Sequence, residues 1–174
     1  MELVAKAKPN ILRRIINMSL FYYKTDIGKI AIEDKNGKIA AIYFQGEELP
    51  LEIDIFESPI LKEAADQIKR YFEGGLKHFS LPLDPAGTPF MKEVWGCLCE
   101  IPYGRTLTYK QVAEEIGRPK SARAVGAACS KNPIPIIIPC HRVIGKSGNL
   151  TGYAGGLDIK EKLLRLEGNI YGII

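Results

Sequence analysis

The chain has 174 residues, of which 46% are hydrophobic and 25% charged, a balance that suits one large or two small globular domains and excludes a disordered chain. No run approaches the ~20 consecutive apolar residues that span a bilayer, and Arg13, Arg14 and Asn17 break up the apolar stretch near the start. Neither a membrane segment nor a secretory signal is expected, and the cytoplasm is the expected location. The net charge of +4 is small, but residues 1–87 carry 12 basic and 13 acidic side chains and residues 88–174 carry 12 and 7. Between positions 101 and 150 eight basic residues (Arg105, Lys110, Arg118, Lys120, Arg123, Lys131, Arg142, Lys146) face two acidic ones (Glu114, Glu115), a density that fits phosphate binding.

Residues 1–17 read either as a short helical extension, with Ile11, Leu12, Ile15 and Ile16 on one face, or as a frayed tail. Residues 20–24, 29–34 and 38–44 are rich in β-branched and aromatic side chains and predict an antiparallel meander, with Asn36-Gly37 supplying a hairpin turn. Ser58-Pro59 supplies an N-cap and a proline at the first helical position, and Ile60, Leu61, Ala64, Ala65, Ile68, Tyr71 and Phe72 form one stripe ending at Gly74-Gly75. This helix should cover one face of the sheet. Turn formers crowd residues 82–87, where the charge balance also changes, so the spacing predicts a domain boundary at Gly87, giving domains 1–87 and 88–174.

The second domain opens on Thr88-Pro89 and a helix bearing Phe90, Met91, Val94, Trp95 and Leu98. Thr108 and Gln111 form a capping box for a helix over 109–116 that stops at Gly117. Ser121 then starts a second short helix reaching about Ser130. On outline alone the pair reads equally as a plain αα-hairpin or as a helix-turn-helix. A last helix is predicted from Asp158, carrying Ile159, Leu163, Leu164 and Leu166, and closed by Gly168. Cys97 and Cys99 sit two apart on one helix, facing different ways, a poor metal clip; with Cys129 they are expected to be small buried hydrophobes.

The second helix of the pair, Ser121-Ala-Arg123-Ala-Val-Gly-Ala-Ala-Cys-Ser130, offers almost no side chain to address base edges. A surface of Ala and Gly permits close backbone approach, either to a shallow groove with Arg123 inserting or to another helix inside the protein. Next comes Asn132-Pro-Ile-Pro-Ile-Ile-Ile-Pro139-Cys140-His141-Arg142-Val143, in which Ile136, Ile137 and Ile138 predict a buried extended segment stiffened by prolines. Cys140 thus ends a rigid strand, with the charges of His141 and Arg142 expected to draw its thiol toward the reactive thiolate. Successive residues of an extended chain point opposite ways, so His141 would act through a water and would need an acid to fix its tautomer, for which Glu167 is the candidate.

Taken together, Asn132 to Val143, the preceding Arg123-Ala-Val-Gly126 and the following Gly152-Tyr153-Ala-Gly-Gly156 and Leu166-Glu167-Gly168 resemble the O6-alkylguanine-DNA alkyltransferases, almost continuously from Phe90 to Gly168. The resemblance implies an α/β (α+β) protein: a ribonuclease-H-like first domain of antiparallel sheet and helix, and a mainly helical, winged-helix-like second domain holding the active-site cysteine. It implies single-use, irreversible transfer of the alkyl group from O6-alkylguanine, and from O4-alkylthymine, in double-stranded DNA to Cys140 after nucleotide flipping. The protein is expected to be a monomer that contacts the minor groove, with no membrane association and no cofactor.

By the same resemblance Cys140 is the acceptor, activated by His141, Glu167 and a water in series, and Tyr109 gives a proton to the departing guanine at N3 and crowds the phosphate. Ala122, Ala124 and Gly126 line the groove, Arg123 fills the gap left by the flipped base, and Lys110, Arg118 and Lys146 meet phosphates. Asn132 holds the turn before the cysteine. Cys129, Pro135, Val143, Tyr153 and Ala154 form the alkylguanine pocket, in which the carbonyls of Cys140 and Val143 accept from the guanine amino group. Two departures stand out: Ala154 lies where several relatives carry serine, and residues 1–87 hold no cysteine and a single histidine, His78, so the zinc site of some relatives is not expected. The competing readings are a lesion-binding relative without transfer, which would lack Cys140, a helix-turn-helix regulator, which would need base-reading side chains, and a Cys/His hydrolase, which would need an oxyanion hole.

Overall fold

The computed structural model describes residues 18–51 and 53–168; the predicted extension over 1–17 lies outside them. Three strands, β1 (Met18–Thr25), β2 (Gly28–Lys35) and β3 (Lys38–Phe44), form the meander read from the sequence. Asn36 and Gly37 both take positive φ (53° and 75°) at its β2–β3 turn, and Asp34 Oδ1 accepts from the Gly37 amide at 2.8 Å, so the turn residues meet the twist of the hairpin. A two-residue strand, β4 (Asp54–Ile55), adds to the sheet parallel to β1, giving the order β3-β2-β1-β4. Its brevity left no period in the sequence.

Helix α1 (Pro59–Phe72) is capped by the Ser58 hydroxyl and lies across β1, β2 and β3 with Leu61, Ala64, Ile68 and Tyr71 buried. The Ser58 hydroxyl also donates to the buried Asp34 carboxylate at 2.7 Å, tying the helix start to the sheet. Helix α2 (Pro89–Cys99) buries Val94, Trp95 and Leu98, the two aliphatic side chains each worth about 1.5–3 kcal/mol when withdrawn from water. The Trp95 indole donates to Ala128 O at 2.9 Å, and a Cβ at Gly87 would lie 2.5 Å from its ring, so only glycine fits there. Cys97 is half-buried and Cys99 exposed, which corrects the expectation that both are buried: they occupy the last turn of α2, two apart, and only one face of that turn meets the core.

The strand pair β5 (Leu107–Thr108) and β6 (Val143–Ile144) is parallel and flanks α3 (Tyr109–Glu115) and α4 (Ala122–Ser130). The Thr108–Gln111 capping box is formed in both directions. Ser121 stands at the N-cap of α4 as predicted, but its hydroxyl turns back to Arg118 O and caps nothing. Helix α5 (Leu157–Leu166) starts one residue before the predicted Asp158, from Gly156 at φ 91°. The outer edge of β3 first takes a segment of its own half, Ile39 N donating to Pro82 O, and then meets the second half, Ile42 N donating to Pro133 O at 2.8 Å. The otherwise open strand edge thus holds the segment that leads to Cys140. Among the described residues no helix is long and apolar enough to cross a membrane.

Candidate active site

The path into Cys140 is not a strand. Ile136 takes φ 75°, Ile138 N returns to Ile134 O at 2.9 Å, and Pro135 bridges to Ile138. Prolines at 133, 135 and 139 deny the segment both helix and ladder, and a tight reversal results. A β-branched residue at positive φ costs on the order of 1–3 kcal/mol; Ile136 is fully buried, and packing holds it there. Asn132 spans this turn from within. Its Nδ2 donates to Ile138 O at 2.8 Å and to Cys140 Sγ at 3.1 Å, while its Oδ1 accepts from Ile134 N at 3.0 Å. Cys140 then opens a 3-10 turn, Cys140–Arg142.

Burial pushes the Cys140 thiol up to about 11, against the lowering effects of the Asn132 hydrogen bond, the Lys160 charge and a backbone amide. At neutral pH the sulfur therefore carries its proton. The expected charge support from His141 and Arg142 is absent for two reasons. Burial holds the His141 imidazole below its ordinary value and so uncharged, and the Arg142 guanidinium is turned to Glu167 and to Ile101 O. Arg142 is 4% exposed, so it also leaves the basic surface counted from the sequence.

Glu167 is the hub of this cluster. Its Oε1 accepts from His141 Nε2 at 2.9 Å, from Tyr71 Oη at 2.6 Å and from Arg142 Nη2 at 2.9 Å, and its Oε2 accepts from Arg142 Nε at 2.9 Å and from Gly104 N at 3.1 Å. Although burial opposes ionisation, these donors hold the carboxyl well below the usual range. A carboxylate cannot donate, so His141 Nε2 carries the hydrogen, and Nδ1, which is buried and meets no protein partner, keeps its lone pair. Gly104 makes this approach possible: its φ is 75°, and a Cβ would lie 2.8 Å from Glu167 O.

On the outer side, Arg123 and Ala124 are exposed and Ala122 and Gly126 half-buried along α4. A Cβ on Gly126 would rest 3.8 Å from the Tyr109 ring, which sets the two helices of the pair in close contact. Among the described residues Arg123 has no acidic partner. Lys110 lies 3.4 Å from Glu114, and Arg118 is paired with Glu93 at 3.0 Å, both in the open; Lys146 is exposed on the turn that closes at Gly148. The Tyr109 hydroxyl is shared with Thr151 Oγ1 at 2.9 Å.

Cys129, Pro135 and Val143 are buried, Tyr153 is half-buried with its ring 5.9 Å from Phe44, and Ala154 is exposed. Asn132, Pro135 and Ala154 also line a cavity of about 450 Å³ whose far wall is Tyr43, Glu47 and Glu48 of the first domain. Val143 O already accepts from the fully buried Lys160 at 2.6 Å, and the same Nζ reaches Thr151 O at 2.9 Å. Four contributors had escaped the sequence reading: Tyr71, Gly104, Thr151 and Lys160. Only Lys160 left a signal, as a cation set in the buried stripe of Leu163, Leu164 and Glu167.

These features define a class: a two-part α/β protein in which a buried thiol, with an imidazole and carboxylate beside it, lies beneath a helix-turn-helix bearing a nearly bare second helix. Two family models match in succession, the 6-O-methylguanine DNA methyltransferase ribonuclease-like domain over residues 19–85 and the corresponding DNA-binding domain over residues 89–169. A methylated-DNA–protein-cysteine methyltransferase of Methanosarcina acetivorans is 47% identical over 150 residues, 84% of this chain and 96% of that one. One from Methanosarcina barkeri is 63% identical over 108 residues, 62% of this chain and 68% of that one. A crystal structure of Mycobacterium tuberculosis OGT in complex with DNA superposes with a TM-score of 0.80 at 40% identity, covering 86% of this chain and 92% of that one. The chain belongs to the 6-O-methylguanine DNA methyltransferase family.

Proposed function

We propose that this protein repairs DNA by direct reversal, taking the alkyl group of O6-alkylguanine onto Cys140. The carrying observation is the arrangement around one sulfur: a buried Cys140 held by Asn132, followed by a histidine whose Nε2–H is fixed on Glu167 and whose Nδ1 lone pair is uncommitted. DNA lies across α3 and α4 in the minor groove. The small residues Ala122, Ala124 and Gly126 admit its backbone, Lys110, Arg118 and Lys146 meet phosphates, and Arg123 enters the stack as the lesion rotates out. Lys110 and Arg118 exchange their exposed acidic partners for phosphate, a small loss because exposed pairs are worth little.

In the step itself the Cys140 Sγ–carbon bond forms as the O6–carbon bond breaks. The thiol proton passes through a water to His141 Nδ1, and Glu167 balances the resulting imidazolium. Guanine leaves neutral after Tyr109, released from Thr151, donates at N3. A thioether is a poor leaving group, so the protein reacts once. Cys129, Pro135, Tyr153 and Ala154 line the lesion's pocket, and the carbonyls of Cys140 and Val143 accept from the guanine amino group on the lone pairs left beside their present donors. O4-alkylthymine is a second substrate of the same geometry. We place the division of labour at Gly87 and the working form as a cytoplasmic monomer. With duplex carrying a labelled O6-methyl group, label on protein should saturate near one per chain and vanish in Cys140→Ala. Continued release of label into solution, or binding with no transfer, would overturn the reading.

A further inference from the structure

Tyr71 belongs to α1, in the first half of the chain, yet its hydroxyl ends inside the thiol's cluster. It is fully buried, and its ring is packed edge-on or tilted against Phe72, Phe79 and Tyr103 at centroid distances of 5.5, 5.3 and 6.1 Å. The ring therefore has no room to swing, and the hydroxyl is a fixed point. From there Oη stands 2.6 Å from Glu167 Oε1 and 3.4 Å from His141 Nε2. The hydroxyl has one proton. Since Nε2 already carries hydrogen toward Glu167, that proton goes to Oε1, and the phenol stays un-ionised because burial and the adjacent carboxylate raise it far above its ordinary value.

Two donors from different halves of the chain, Tyr71 Oη–H and His141 Nε2–H, thus converge on one carboxylate oxygen. We propose that Tyr71 is a positioning residue for alkyl transfer, its hydroxyl pinning Glu167 Oε1 against His141 Nε2 so that Nδ1 remains the proton acceptor of the relay. The proposal rests on the proton relay described above and adds to it that the first domain completes the relay. Its shape follows from the valence of one oxygen. Arg142 grips Oε2 and part of Oε1 and Gly104 grips Oε2; Tyr71 and His141 share what is left of Oε1. Without the hydroxyl, the carboxylate charge falls more heavily on His141 Nε2–H and stabilises imidazolium.

The groups facing His141 are Glu167 from the end of α5, Lys160 from within α5, Arg142 from its own turn and Tyr71 from α1. Glu167 favours the protonated ring, while Arg142 and Lys160 oppose it. Tyr71 acts by weakening Glu167. Removing its hydroxyl should therefore raise the His141 pKa, and the pH below which the base is lost should rise with it.

Tyr71→Phe keeps the ring and removes only the hydroxyl. The chain has two histidines, so the imidazole nitrogens of His141 can be followed by NMR in unreacted protein without any transfer chemistry. The expected result is that His141 titrates about one pH unit higher in Tyr71→Phe. The acid limb of reaction with free O6-benzylguanine should move up by the same amount, costing about tenfold in rate on that limb and under about threefold near pH 8. Tyr103→Phe is the matched control: Tyr103 donates to Leu166 O at 3.0 Å and to no carboxylate, so its loss should lower Tm without moving the limb. Difluorotyrosine at position 71, a stronger donor, should shift His141 the opposite way, and it serves also if Tyr71→Phe does not fold. An unmoved His141 titration in both Tyr71 variants overturns the proposal even where native protein transfers alkyl normally. Failure of His141→Ala to slow transfer would instead remove the relay on which it rests.

Discussion

The α4 surface and the Glu167 cluster are built on opposite terms, the first from a single helix and the second from both halves of the chain. On α4 the exposed residues are Arg123, Ala124, Ala127 and Ser130, with Ala122 and Gly126 half-buried beside them and no acidic partner for Arg123 among the described residues. Around Glu167 every oxygen lone pair is spoken for, by His141, Arg142, Gly104 and Tyr71. A surface that must accept any sequence gains from having little to say, since shape and phosphate contacts carry no base preference. A proton relay gains from the reverse: a loose carboxylate would let the imidazole exchange tautomers and lose the free Nδ1 lone pair.

Replacing Glu167 by Gln probes the tight side and should have the largest effect on stability. It leaves the buried Arg142 without its counter-charge, and breaking such a pair costs about 3–5 kcal/mol, readable by urea unfolding at pH 7. The sign with pH follows from the direction of the Glu167 shift. Its folded value lies below the unfolded ~4.3, so the native advantage is present in full above that value and is lost as pH falls from there toward the folded one. The gap between native and Glu167→Gln protein should accordingly narrow below about pH 4. A constant gap would mean the carboxylate is not the charged partner.

Arg123→Ala probes the bare side. Repair of duplex should slow by about tenfold or more, since unstacking costs a few kcal/mol, while reaction with free O6-benzylguanine should change less than about twofold; equal losses would deny Arg123 any part in opening the stack. The smallest effect should come from Lys146→Ala, which removes one exposed cation and should reduce the slope of log affinity against log salt by about one, with stability unchanged. A Lys146→Ala slope equal to the native one would take Lys146 off the phosphate path.

What the sequence made legible divides along the same line. Features written locally survived: the caps at Ser58, Thr88 and Thr108, the Asn36-Gly37 turn, the two short helices and the Pro-Cys-His-Arg run all depend on neighbours a few residues away. Of the features written across the fold only the His141–Glu167 pair was foreseen. Tyr71 and Glu167 are 96 positions apart, and Gly104 and Glu167 are 63 apart; no period or motif joins them. The same distance misled the reading of charge. Adjacent to Cys140 in sequence, His141 and Arg142 looked like its activators, whereas burial keeps one neutral and Glu167 engages the other. The three isoleucines likewise suggested a strand; the prolines around them were read as stiffening an extended segment, whereas Ile136 takes positive φ and the chain reverses.

The protonated, enclosed state of Cys140 bears on how long the protein stays fit for use. A thiol that reacts once cannot be spared for stray oxidants or soft electrophiles, and attack by such reagents needs thiolate and access. With its sulfur buried and its proton held up to about pH 11, Cys140 presents neither, so a molecule waiting in a cell keeps its single reaction unspent. Selectivity is thereby set before any lesion arrives: the group that reacts quickly must be the one brought to the sulfur already aligned.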